Sequence, residues 1–302
     1  RYTTFNYEKI MKNLKFKEIT IIGPGLIGAS LGLILKNKKI TKRIVGIDIS
    51  KKNIKDAIDN KSIDEGRLKI DKKIRRSDVI FICTPVSLID SIANQIFPYL
   101  SDHSIVTDVG SVKNCFSKKT IKLYEKKSFL LPGHPIAGTE HSGAQSAKLN
   151  LFLNKWCILT PINKKKKQIS IISNIWKKIG AKISLMSADQ HDKIMSITSH
   201  LPHLIAFTIV GTAFKIDLKK KKELINFSAG GFRDFTRIGS SDPRMWVDIF
   251  IHNRKYLLKT LKNFSSDIKI LENLIKNCRE KEIFYILKKN KEIRKSILKI
   301  TD

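Results

Sequence analysis

A short apolar run, Ile19–Ile22, meets GPGLIG and passes directly into ASLGLIL. A strand, a glycine turn and an apolar helix in immediate succession form the opening unit of a doubly wound α/β sheet. The three glycines serve different ends. Gly23 permits the tight turn, Gly25 lets backbone approach a pyrophosphate, and Gly28 lets the helix pack close on the strand. Asp48 stands 20 residues beyond Gly28, at the end of the next strand-like run, where a carboxylate accepts hydrogen bonds from a ribose. That carboxylate repels an extra ribose phosphate, so NAD is expected ahead of NADP, with Lys51 and Lys52 softening the preference. The alternative is a glycine turn in an ordinary α/β sheet, with Asp48 merely capping a loop.

The alternation continues. Runs rich in β-formers recur at Arg43–Ile47, Val79–Ile82, Ile105–Thr107, Phe129–Leu131 and Trp156–Leu159, mostly with helix-length segments between them. Such a pattern predicts a largely parallel sheet. A helix near Ser170–Lys178 and a last strand near Lys182–Leu185 follow, and then the period becomes helical. Ser187 and Gln190 have capping-box spacing, and apolar residues recur at helical intervals through Phe214. Pro202 is expected to kink or restart that helix after Leu201. Asp242 and Pro243 read as N-cap and first-turn proline of a helix carrying Trp246, Ile249, Phe250, Leu257 and Leu261, with further helices near Ser266–Ile275 and Glu280–Ile300. The expected division is a lead at 1–16, a dinucleotide-binding domain at 17–186 and a helical domain at 187–302, packed around a shared cleft.

A chain of 302 residues has room for one mid-sized domain and a second. Lys and Arg total 58 against 27 Asp and Glu, a net charge of +31, which alone would suggest a nucleic acid or an anionic membrane. Only 11 of the 58 are Arg, and the lysines are spread through every segment rather than gathered beside exposed aromatics, so neither partner is expected. The clusters Lys164–Lys167 and Lys219–Lys222 read as solvated charge runs. Cys83, Cys115, Cys157 and Cys278 show no CxxC pairing and no secretory segment precedes them, so reduced thiols in a cytoplasmic protein are expected. The apolar stretch near Leu204–Phe214 is interrupted by Thr and Gly and reads as too short to span a bilayer. The first ten residues read as an irregular or short helical lead, with Met11 a candidate start of a shorter chain.

Three later strand ends carry CTPV (Cys83–Val86), DVGSVK (Asp108–Lys113) and GHPIAGTE (Gly133–Glu140). In an open α/β sheet the ligand cleft lies beyond the carboxyl ends of the strands, so these segments should line one site. A histidine there can take a hydroxyl proton while hydride leaves the same carbon, because its ordinary pKa is close to neutral. His134 is the candidate base, and a histidine that only hydrogen-bonds a loop is the alternative. His141 is less secure, and His103, His191 and His252 read as surface or structural. His200 and His203 are three apart and share a helical face. No carboxylate or cysteine lies at matching ligand spacing, so substrate contact is expected ahead of zinc, with two packed histidines as the alternative. In GGFRDFTRIGSSDPRMW, Arg237 is the best candidate for a guanidinium fork on a carboxylate. Arg233 and Arg244 read as solvent-facing or ion-paired, and Trp246 as core.

These segments, in this order over roughly Ile19 to Ile275, closely resemble the prephenate and arogenate dehydrogenases of tyrosine biosynthesis. The resemblance implies a Rossmann-type domain followed by an all-helical dimerisation domain of the 6-phosphogluconate-dehydrogenase C-terminal type. It implies oxidative decarboxylation of prephenate or arogenate in a cytoplasmic homodimer. By position, His134 would deprotonate or hydrogen-bond the ring hydroxyl, and Ser111 would link it to the nicotinamide. Arg237 would hold a substrate carboxylate, while His200, His203, Thr139, Glu140 and Asp234 complete the pocket. The cofactor would lie against Gly23, Gly25, Leu26, Ile27, Gly28, Asp48, Thr84, Pro85 and Ser111. No chorismate mutase segment precedes the fingerprint, and the residues after Cys278 are too few for an ACT domain, so a monofunctional enzyme is expected.

Two rivals remain. A β-hydroxyacid dehydrogenase of related build would need a catalytic lysine on the first long helix of the second domain, where Lys193 precedes SHLPH without the expected glycine setting. A non-catalytic NAD-binding sensor would not need His134, Ser111 and Arg237 together.

Overall fold

The computed structural model describes residues 15–126, 129–139, 141–163, 165–215, 226–227 and 230–301. Most of the lead segment, Glu140, Lys164 and the Lys219–Lys222 cluster lie outside the described residues. The strands are β1 (Ile19–Ile22), β2 (Ile44–Ile47), β3 (Glu65–Arg67), β4 (Val79–Ile82), β5 (Ile105–Asp108) and β6 (Phe129–Leu131). They pair in parallel, in the order β3-β2-β1-β4-β5-β6. The order reverses at β1, and in such a sheet that switch point opens the ligand crevice.

The four-residue runs of β1, β2, β4 and β5 are buried throughout, as a strand covered on both faces must be. Their alternate residues enter two separate cores. Ile19, Ile21, Val79 and Phe81 pack with α1 (Leu26–Asn37), α2 (Lys51–Asp59) and α5 (Lys166–Lys178), around Leu31, Ile54 and Trp176. Ile22, Ile80, Ile82 and Val106 pack with α3 (Val86–Ile96) and α4 (Lys118–Lys126), around Ile89, Ala93 and Tyr124. The sheet is therefore doubly wound. The edge strand β3, with the sequence EGR, carries no apolar run and was not legible as a strand.

The remaining strands depart from the expected single sheet. β7 (Gly133–Pro135) runs antiparallel to β8 (Trp156–Leu159), which is parallel to β9 (Lys182–Leu185), and the three form a separate sheet. Gly133 turns the chain out of β6, and a Cβ there would lie 3.2 Å from the Asp108 carbonyl oxygen. β7 therefore lies against the carboxyl end of β5.

The Ser187 Oγ accepts from Gln190 N at 3.1 Å and starts α6 (Ala188–Met195). A π-helical turn, Ser196–His200, joins it without interruption to α7 (Leu201–Ala213). Pro202 therefore does not break the helix: it sits in the first turn after the π segment, where its missing N–H is tolerated. The helix Ala188–Ala213 is 26 residues long and contains an 18-residue stretch with a mean hydropathy of 1.4, so by length and composition alone it could cross a membrane, although Leu204–Phe214 by itself could not. Beyond it come α8 (Gly230–Thr236), a 3₁₀ turn at Arg237–Ser240, α9 (Pro243–His252), α10 (Arg254–Lys276) and α11 (Glu280–Thr301). Asp242 caps α9 through Arg244 N, at 2.9 Å. The helix expected to run on to Leu261 breaks at Asn253, whose side chain is taken up in the site described below.

The chain forms two compact units, Arg1–Arg254 and Lys255–Asp302. The first holds both sheets and the helices through α9. The second, most of α10 with α11, exposes Ile268, Ile275, Phe284, Tyr285 and Leu287 among many lysines.

Candidate active site

The β1–α1 turn shows three different demands on its glycines. Gly23 has φ +84°, and a Cβ there would stand 2.8 Å from the Cys83 carbonyl oxygen. At Gly28 a Cβ would come within 2.6 Å of the Gly23 carbonyl oxygen, so only glycine lets α1 sit this close to β1. Gly25 faces open space. The N-terminus of α1, at Leu26 and Ile27, has no side-chain cap and no acid in its first turn, which leaves its amides available to an anion.

Asp48 is held in place by its neighbours: Oδ1 accepts from Ser50 N at 2.8 Å and Oδ2 from Asn53 Nδ2 at 3.1 Å. Across the switch point, the Thr84 hydroxyl is buried without a partner and Pro85 begins α3. An uncapped helix end, an open glycine, an oriented carboxylate and an orphaned hydroxyl fit a dinucleotide along this edge.

His134 projects from β7 at the same carboxyl end of the strands, with its ring half-buried. Its Nδ1 lies 2.8 Å from Nε2 of His191, a fully buried residue of α6. Nδ1 of His191 in turn donates to Asp192 Oδ1 at 2.8 Å. The Asp192 carboxylate also accepts from the backbone N–H groups of Lys113 and Asn114, at 2.8 and 2.9 Å, and from Asn114 Nδ2 at 2.9 Å. Lys113, wholly buried, pairs with Asp108 and donates to the Gly133 carbonyl at 2.5 Å, which locks β7 to the end of β5.

Burial pushes the His134 pKa well below the usual imidazole range, and the neighbouring His191, Lys113 and His200 push the same way. The His191 pKa is lowered by burial, against the hydrogen bond to Asp192. Burial opposes ionisation of Asp192, yet its hydrogen bonds from His191, Lys113 and Asn114 hold it below the ordinary carboxylate range.

On the helical side, Asn253 Nδ2 donates to the Asp192 carbonyl at 2.8 Å and to His200 Nδ1 at 2.9 Å. His200 is buried, with its pKa lowered to about 4 chiefly by burial. His203 stacks on Trp246 at 3.8 Å between centroids, and its Nδ1 donates to the Ser199 carbonyl at 2.8 Å. The edge of His200 faces the same indole at 6.3 Å. Trp246 is core, as expected, packed with Val86, Val112 and Ile249. Asp248 Oδ2 accepts from Ser87 N at 2.9 Å and joins α9 to the start of α3.

The other expected residues are dispersed around this cluster. Arg237 is exposed on a turn that rests on α7, where a Cβ at Gly239 would lie 3.3 Å from the Ala206 carbonyl carbon. It has no acidic partner among the described residues. Arg244, in contrast, pairs with Asp242 at 3.0 Å, and Arg233 is exposed. Thr139 accepts from His141 N at 3.2 Å, Asp234 is exposed on α8, and Glu140 lies outside the described residues. Ser111 is half-buried on the loop after β5, but it is not hydrogen-bonded to His134, whose Nδ1 is turned toward His191.

His191, read from sequence as surface or structural, is thus the direct neighbour of the candidate base. Lys113 closes DVGSVK, one of the segments expected to line the site, but was not singled out, and Asp192 and Asn253 carry no sequence signal that marks them as site residues. The capping box at Ser187 placed His191 and Asp192 at the start of a helix, but only the fold shows that this helix faces β7.

This fold and site are those of a dinucleotide-dependent oxidoreductase. Family models describe the chain in two parts: residues 31–185 match the nucleotide-binding domain of prephenate dehydrogenase, and residues 187–289 its dimerization domain. The chain is 34% identical over 297 residues to the cyclohexadienyl dehydrogenase of Zymomonas mobilis, covering 94% of this chain and 96% of that one. It superposes on Aquifex aeolicus prephenate dehydrogenase, solved with hydroxyphenyl propionate and NAD+, with a TM-score of 0.87 and 35% identity, over 94% of this chain and 99% of that one. Synechocystis arogenate dehydrogenase matches with a TM-score of 0.78 and 29% identity, over 92% of this chain and 99% of that one. The chain belongs to the prephenate dehydrogenase family.

Proposed function

We propose that this enzyme carries out the NAD-dependent oxidative decarboxylation of prephenate, arogenate or both, with His134 as the base. One observation carries the assignment of the base. His134 stands at the carboxyl end of the strands, its Nδ1 is engaged by His191, and its Nε2 has no partner among the described residues. With its pKa driven well down, the ring stays neutral and able to accept a proton throughout the physiological range.

The glycine turn, the N-terminus of α1, Asp48 and Thr84 would hold the dinucleotide, with Leu26, Ile27, Pro85 and Ser111 around it. Bound NAD+ supplies the hydride acceptor. His134 Nε2 takes the proton of the ring hydroxyl as hydride leaves the same carbon. The resulting ring ketone is conjugated through the ring double bonds to the opposite ring carbon, which bears the carboxylate. The electrons of that carbon–carboxylate bond pass through a ring double bond to the ketone oxygen, carbon dioxide departs, and the ring becomes aromatic. Arg237, free of acidic partners among the described residues, binds a substrate carboxylate with its guanidinium fork. His203 and His200, set by Trp246 and Asn253, would contact the substrate together with Thr139 and Asp234, and Glu140 is retained as a substrate residue on the resemblance alone.

The β-hydroxyacid alternative finds no support in the site. Lys193 is exposed, and the residue facing His134 is His191. The helix Ala188–Ala213 is read as part of the enzyme's own fold rather than a membrane span, because its His191, Asp192 and His200 are buried in hydrogen bonds to other parts of the enzyme. We read the functional division as falling at Ser187 and the enzyme as a cytoplasmic homodimer. The match to a dimerization domain supports the dimer, as do exposed Met245, Val247 and Ile251 on α9. Steady-state assays of the purified enzyme with each substrate, and of His134→Asn, test the proposal.

A further inference from the structure

We propose that His191 and Asp192 are positioning residues that fix the tautomer of His134, so that the nitrogen left bare for the substrate proton is always Nε2. The proposal rests on the reading of His134 as the base.

The direction of each hydrogen bond follows from the end of the chain. The Asp192 carboxylate can only accept, so the proton between it and His191 sits on Nδ1 of His191. In neutral His191 the other nitrogen, Nε2, is then an acceptor. The ring facing it must donate, which puts the proton of His134 on Nδ1, 2.8 Å away. A neutral imidazole carries one such proton, so His134 Nε2 is left with its lone pair free. A histidine without this chain would populate both tautomers, and one of them presents a proton where the mechanism needs a lone pair.

The carboxylate at the end of the chain cannot readily turn away. Besides the His191 proton, Asp192 receives two backbone amides and one side-chain amide from Lys113 and Asn114, which together use both of its oxygens. Lys113 and Asn114 follow Ser111 on the loop expected at the nicotinamide. One buried carboxylate therefore sets both the base and the loop beside the cofactor. When His134 takes the substrate proton, its positive charge lies one imidazole away from the Asp192 negative charge, with His191 and Asp192 themselves buried. That pairing favours the charged form as it develops during the reaction.

Two substitutions separate positioning from packing. In His191→Gln the amide oxygen can still accept from His134 Nδ1 and the amide N–H₂ can still donate to Asp192. In His191→Phe the volume stays but both functions are lost. The expected result is a fall in kcat on the order of 10- to 100-fold for the Phe variant, with the substrate KM and the NAD Kd within about twofold of wild type. The Gln variant should retain kcat within about fivefold. ¹⁵N NMR of histidine-labelled protein should show His134 as a single Nδ1–H tautomer in wild type and in the Gln variant, and as a mixture in the Phe variant.

Equal losses in the two variants, no loss in either, or a wild-type His134 protonated on Nε2 would overturn the proposal. If wild type reduces no NAD with any cyclohexadienyl substrate, the functional reading fails, but the NMR result still decides the tautomer.

Discussion

The β1–α1 turn yields a prediction in which stability and cofactor binding part company. In Gly23→Ala the new Cβ would stand 2.8 Å from the Cys83 carbonyl oxygen and 3.0 Å from Thr84 Cγ2, at a φ of +84°. A non-glycine residue in left-handed backbone costs about 1–2 kcal/mol, and overpacking against atoms with little room to retreat about 1–3 kcal/mol, for a sum of about 2–5 kcal/mol. At roughly 2–4 °C per kcal/mol, the midpoint of thermal unfolding should drop by roughly 4–20 °C. Gly25→Ala meets nothing within 4 Å at an ordinary φ of −76°, so its cost should stay within about 1 kcal/mol, the scale of a helix N-cap change. Its methyl group instead occupies the space through which a pyrophosphate approaches, and NAD affinity should fall on the order of tenfold or more. Calorimetry of the apo variants and a fluorescence titration with NAD read the two quantities separately. Equal midpoint shifts for the two variants, or unimpaired NAD binding by Gly25→Ala, would refute the reasoning.

Other outcomes follow from the same site. His134→Asn should lower kcat on the order of 10²- to 10⁴-fold with little change in NAD affinity, and near-normal turnover would remove His134 from the chemistry. Arg237→Gln should raise the substrate KM with kcat held nearly constant, so an unchanged KM would exclude it as the carboxylate clamp. The His200 pKa is pushed from an ordinary 6.5 down to about 4, so the unfolded chain binds a proton that the folded one refuses. Stability is thus complete above about pH 6.5 and is lost as pH falls toward 4, by roughly 3 kcal/mol for this group alone, with His191 and His203 acting in the same direction. Denaturant midpoints that stay flat across that window would contradict the buried, neutral imidazoles. Light scattering should report a dimer, and a monomer at working concentration would disprove the assembly.

The doubly wound sheet was legible because fully buried parallel strands must be short apolar runs, and β1, β2, β4, β5 and β6 are all of that kind. β3 and β7 were not, since EGR and GHP owe their strand geometry to neighbours rather than to their own side chains. The start of α6 and the start of α9 were visible in their caps, Ser187 and Asp242. The break at Asn253 was invisible, because its cause is a pair of hydrogen bonds to Asp192 and His200, 61 and 53 residues away. The same limit separates the two histidines of the base. His134 could be placed by its position after a strand, whereas His191 has no local signal at all. Its part is set by the packing of α6 against β7, which a one-dimensional pattern does not carry.

The central claim is tested most directly by mixing the purified enzyme with NAD+ and, separately, prephenate or arogenate, while following reduced-nicotinamide absorbance and carbon dioxide release together. Stoichiometric production of both with at least one substrate, abolished in His134→Asn, is the predicted result. Folded enzyme that binds NAD+ but forms neither product with either substrate would contradict it.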